Sequence, residues 1–157
     1  MTVSTGTVAI GLVSVFLVVA CATTMTTMSP DEAITARQQL MKQQGAASKS
    51  IGDKAKAGQI QAIASDAEVL AQTSSKIASL FPAGSLNPDK SRAKPEIWQK
   101  QAEFEGYAKL LNTKATQLAA TARSGDAKAT GAAITDLGRT TCAACHNAFR
   151  GPELKKG

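Results

Sequence analysis

The sequence predicts an all-α fold, a four-helix bundle that holds a covalent prosthetic group and follows an N-terminal export signal. Three observations point to the helices. Apolar residues recur at steps of three and four along most of the chain, which is the spacing of one helix face. Aromatic residues make up only 4% of the chain, while Ala and Leu recur throughout, a mixture that favours helices over strands. No credible strand is found. At 157 residues the chain suits one domain and hardly two.

Residues 1–22 carry no charged side chain, and "VAIGLVSVFLVVA" within them is an apolar run too short to span a bilayer comfortably. Followed by small residues, it reads as a signal segment, with the domain occupying residues 23–157. Two cleavage sites compete. "ACA" suits a small-residue signal peptidase site, whereas "VVAC" would make Cys21 a lipid-bearing N-terminus and hold the domain on a membrane. The remainder keeps all 18 Lys and Arg against 12 Asp and Glu, a net charge of +6. These charges are scattered singly, as on a solvated surface, which speaks against nucleic-acid binding.

"SPDEAITARQQLMKQQG" opens the first helix, with Ser29 as N-cap, Pro30 in the first turn and Glu32 completing a capping box. Ile34, Arg37 or Gln38, and Met41 share one face of it. A second helix is predicted over residues 59–81, with Ile63, Ala67, Leu70, Ser74, Ile77 and Phe81 along one stripe and Pro82 stopping it. "PAGSLNPDKSRAKP" shows no apolar period and predicts a crossover loop over residues 82–95. Pro95 suits the start of a third helix striped by Ile97, Phe104, Ala108, Leu111, Ala115, Leu118 and Ala122. Gly125 supplies a left-handed turn, and a fourth helix is predicted over residues 126–149, closed by Gly151 and Pro152.

"CAACHNAFR" contains Cys142, Cys145 and the chain's sole histidine, His146. C-x-x-C-H is the attachment sequence for haem c: the thiols add to the vinyl groups and the histidine becomes an axial iron ligand. On a helix, steps of three and four put all three on one side. Zinc would want four ligands where the domain offers three, and a thioredoxin-type dithiol would sit where a strand meets a helix. A plain disulfide would give the adjacent histidine no task.

With this motif at the end of a fourth helix, the chain resembles class II cytochromes c, the family of cytochrome c′ and its low-spin relatives. "ARQQLMKQQG", "LFPAGS" and "KPEIWQKQAEFEGYAKLL" extend the resemblance over about residues 29–152. It implies haem c lodged between helices, with His146 on one side of the iron and Met41 at the first-helix position on the other. The match of "LMKQQG" to the low-spin branch implies that Met41 is the sixth ligand; otherwise it is an apolar neighbour. Arg37 would pair with a haem propionate or snorkel to solvent, with Gln38 assisting it. Phe81 and Phe104 match positions that pack on the haem. Trp98 lies beside the third-helix stripe, and Arg150, four residues after His146, adds charge near the haem edge. The function this implies is a periplasmic electron carrier, trading electrons with redox proteins as donor and acceptor. The alternative is a five-coordinate binder of nitric oxide or carbon monoxide. No catalytic acid, base or nucleophile is evident, and a monomer or a homodimer both fit.

Overall fold

A computed structural model of the chain describes residues 28–154 together with the first two residues. The signal segment, its two cleavage sites and Cys21 lie outside the described residues. No described helix is long and apolar enough to cross a membrane. The described chain contains α1 (Pro30–Lys56), α2 (Ile63–Ser74), α3 (Glu96–Gln99), α4 (Gln101–Arg123), α5 (Ala127–Leu137) and α6 (Ala144–Phe149). Among the described residues there is no strand, only an isolated antiparallel bridge between Ala93 and Arg150.

The capping box forms as the sequence predicts. Glu32 N–H donates to Ser29 Oγ at 3.3 Å, and Ser29 N–H donates back to Glu32 Oε2 at 2.8 Å. Gly125 takes φ +77, and Asp126 caps α5 through Ala129 N–H.

Three predicted helices are interrupted. The second is α-helical only over Ile63–Ser74 and continues through three-residue turns and a short 3-10 segment, Ala78–Leu80. Thr73, Ser74 and Ser75 return their hydroxyls to the carbonyls of Val69, Ala71 and Gln72, and such local bonds compete with the regular ladder. The third is broken at Lys100 (φ −123, ψ 46) into α3 and α4. That offset lets Trp98 Nε1 donate to the carbonyls of Phe81 and Pro82, both at 3.1 Å. The fourth contains a π turn, Gly138–Ala143, between α5 and α6, where Thr140 and Thr141 hydroxyls donate to the carbonyls of Asp136 and Leu137.

Four helical lengths, α1, α2, α4 and the α5–α6 run, form the bundle. The α2–α4 seam is the most extensive, built from Ile63, Ala67, Leu70, Leu111, Ala115, Leu118 and Ala122, each at most 5% exposed. The remaining seam, α1 against the last helix, is loose. No Cα of α1 lies within 8 Å of a Cα in the π turn or α6.

Candidate haem-binding site

The loose seam is where the motif stands. Cys145 and His146 lie on α6, but Cys142 falls inside the π turn, so the expectation of three side chains on a regular α-helix is corrected: its wider winding replaces the α-helical step between the cysteines. Both thiols are free and half-buried. Burial, with Cys142 beside it, pushes the Cys145 thiol up to about 11, so it stays protonated and away from disulfide exchange at neutral pH. His146 has an exposed edge, yet desolvation by its neighbours and the nearby charges of Arg150 and Arg92 hold its imidazole below the usual range. A neutral imidazole keeps the lone pair that an axial ligand needs. Among the described residues no three His, Cys, Asp or Glu side chains converge on a metal ion.

On α1, Arg37 is 3% exposed, which overturns the snorkelling alternative. Nη1 donates to Ser85 Oγ at 3.0 Å, and Nη2 donates to Ser85 O and Ser91 Oγ at 2.9 Å each. The guanidinium carbon stands 4.7 Å from the centre of the Phe81 ring. All of these partners are neutral. Burial lowers the pKa of the guanidinium, and its Nε is buried with no partner among the described residues. An unpaired donor on a buried cation fits an anionic group entering the seam, as a haem propionate does. Gln38 does not face that group. Its Nε2 donates to Lys90 O at 2.7 Å, tying the crossover loop to α1.

The described aromatic residues form one chain. Phe81 and Phe104 ring centres lie 4.8 Å apart, Phe104 and Phe149 5.4 Å, and Phe149 and Tyr107 6.1 Å. Phe149 and Tyr107 extend the pair that the sequence predicts; Phe149, three residues after His146, was visible there only through its helical spacing. Met41 is half-buried against the core. Arg150 is not on the helix with His146, because it has extended backbone (φ −109, ψ 126) and its N–H caps the His146 carbonyl. The sequence gives no sign of Ser85, Ser91, Arg92 and Lys94, whose roles depend on where the loop passes.

The chain matches the family model described as Cytochrome C' over residues 32–150. It is 33% identical to cytochrome c' of Pararhodospirillum photometricum across 78% of this chain and 98% of the relative. The same identity holds with cytochrome c' of Rhodopseudomonas palustris, across 76% of this chain and 82% of that protein. The crystal structure of cytochrome c' from Thermochromatium tepidum superimposes with a TM-score of 0.70 at 31% identity, covering 80% of this chain and 99% of that one. A nitric oxide complex of a mutant cytochrome c prime from Alcaligenes xylosoxidans gives 0.69 at 28% identity, covering 79% and 98%.

Proposed function

The chain belongs to the cytochrome c′ family, whose cofactor is haem c, and on that premise we propose that it is a periplasmic haem protein with a five-coordinate iron that binds nitric oxide or carbon monoxide. The observation that carries this reading is the company the fold keeps: among its structural relatives are complexes with nitric oxide and one with carbon monoxide bound. That company favours an open iron over the Met41 ligation that the first-helix motif implies. When bound, the haem would supply an iron able to take a diatomic molecule or to exchange one electron.

The chain's own residues hold and shape that site. Cys142 and Cys145 would hold the macrocycle through thioether bonds, and His146 would offer a neutral ring nitrogen to the iron. Arg37 Nε answers a propionate. Phe81, Phe104 and Phe149 form an apolar wall that excludes water. Met41 stands one turn beyond Arg37 on α1 and would add a thioether to the wall of the site. This reading gives no described side chain a role as catalytic acid, base or nucleophile, and redox proteins remain the partners for returning the iron to the ferrous state. A Met/His carrier of electrons is the second reading, favoured by the first-helix match at Met41, whose side chain is half-buried against the core.

Visible spectra of the haem-loaded protein, oxidised, reduced and reduced under carbon monoxide, separate the two. A broad high-spin ferrous spectrum that shifts under the gas, alike in wild type and Met41→Ala, is the expected result. Sharp ferrous bands that resist carbon monoxide and become high-spin in Met41→Ala would overturn it in favour of electron transfer.

A further inference from the structure

The helix that carries His146 ends three residues later, and its last carbonyls have no partners within the helix. His146 O accepts from Arg150 N–H at 3.0 Å. The other three are all met by one residue of the crossover loop. Lys94 N–H donates to Phe149 O at 3.1 Å, and Lys94 Nζ donates to Ala148 O at 3.1 Å and Asn147 O at 3.4 Å. A cation at a helix C-terminus also opposes the negative end of the helix dipole. Beside it, Arg92 Nε donates to Gly151 O at 2.9 Å, and Gly151 N–H donates to Arg92 O.

The same loop is moored to α1 at its other end. Arg37 grips Ser85 and Ser91, Gln38 holds Lys90 O, and Lys90 pairs with Asp31 at 2.8 Å. Residues 85–94 therefore run from the α1 face of the loose seam to its His146 face, where the helices themselves make no close backbone contact. A segment bonded to both walls of a gap fixes its width.

We propose that residues 85–94 are a cross-brace that sets the separation between α1 and the His146 helix, with Lys94 as the positioning residue for His146 and so for gas affinity at the iron. The gas-affinity part rests on the five-coordinate reading. The brace itself does not, since it positions the histidine whichever ligand stands opposite.

The test uses the haem-loaded full-length protein with Lys94→Met, which keeps the side-chain length and the backbone N–H but removes the ammonium. Lys94→Arg serves as the rescue. Lys76→Met, an exposed lysine with no side-chain partner among the described residues, serves as the control. Lys94→Met is expected to speed amide exchange across residues 147–151 about tenfold. It should also change the ferrous iron–histidine vibration and move carbon monoxide affinity by about threefold or more. Lys94→Arg should restore all three readouts, and Lys76→Met should leave them alone. Faster exchange with an unmoved iron–histidine vibration would overturn the proposal, leaving Lys94 merely a cap, and so would unchanged exchange. If wild type refuses carbon monoxide, the five-coordinate reading fails by itself, and exchange and vibration still decide the brace. Should Lys94→Met not accumulate with haem, Ser91→Ala removes a bond at the α1 end and must move the same vibration.

Discussion

The α2–α4 seam and the braced seam hold the same bundle together in opposite ways. Along α2 and α4 the contact is made by small and branched apolar residues, Ala67, Ala115 and Ala122 at 0% exposure among them, and its strength grows with area removed from water. Between α1 and the motif helix the backbones do not approach as closely. There a buried arginine, two buried serines and the ends of a loop do the holding, through hydrogen bonds whose geometry is fixed. An apolar seam tolerates changes of shape and answers mainly to lost volume, whereas a polar brace answers to the removal of any single partner. The division suits a haem protein: one side of the molecule supplies stability, and the other keeps a slot open.

The largest effect should come from the apolar side. Leu118 on α4 is 1% exposed, and Leu118→Ala should cost about 2–5 kcal/mol from lost transfer energy plus the cavity left behind. Denaturant unfolding of the haem-loaded protein measures this. Although α4 also packs against the π turn and α6, the ferrous spectrum should change less than in the brace variants, because the apolar Leu118 side chain makes no hydrogen bond to the loop that holds the motif helix. A spectral change matching that of the brace variants would erase the distinction between the two regions.

Arg37→Ala should act the other way round. It takes a donor from Ser85 O and from Ser91 Oγ in a buried place, although Ser91 Oγ keeps the Ala93 N–H and Ser85 Oγ keeps its bond to the Pro82 carbonyl; the cost is about 1–3 kcal/mol, offset in part because a buried cation with neutral partners is itself poorly solvated. Its effect on stability should therefore be smaller than that of Leu118→Ala, and its effect on the haem larger. The variant should hold its propionates less firmly, read as a shifted reduction potential and altered propionate vibrations. If the potential stays put, the unpaired Nε is no mark of an anion, and Arg37 serves the loop alone.

The same division explains what the sequence disclosed. The α2–α4 stripes were legible because helix periodicity encodes burial directly, and Leu70, Leu111 and Leu118 sit where the spacing puts them. The haem anchor was legible because Cys142, Cys145 and His146 are local in sequence. The brace was not, since residues 82–95 have no period and their partners lie far along the chain: Ser85 is 48 residues from Arg37, and Arg92 is 59 from Gly151. Arg37 could be seen as a charge on an apolar face, but not which groups received it. The breaks at Ser74, Lys100 and the π turn were hidden for a related reason. Each preserves the apolar stripe while altering the winding beneath it, and hydroxyl back-bonds from Thr73, Ser74 and Thr141 carry no periodic signature.

The smallest effect belongs to a polar clasp that resembles the brace in chemistry but sits at the far end of the stable side. Asp66, in the first turn of α2, accepts from Lys54 Nζ and Ser50 Oγ on α1, both at 2.7 Å. Burial pushes its carboxyl up, but the bonds from Lys54 and Ser50 together with the Lys54 charge outweigh burial, and its pKa lies below the usual carboxylate range. A carboxyl with a lowered pKa in the folded state contributes stability that is complete above its unfolded pKa and is lost as the pH falls through the folded one. The contribution should therefore be present at pH 7, begin to fall below about pH 4, and amount to about 1 kcal/mol, because the pair is only partly buried. Asp66→Asn should lower the melting temperature slightly at pH 7, with the gap to wild type narrowing as the pH falls below about 4 and the ferrous spectrum unchanged throughout. Parallel melting curves from pH 7 to 3 would show that the clasp contributes nothing. A spectrum that followed the clasp would mean that α1 moves as one rigid rod, carrying a disturbance at Lys54 down to Arg37 and the slot.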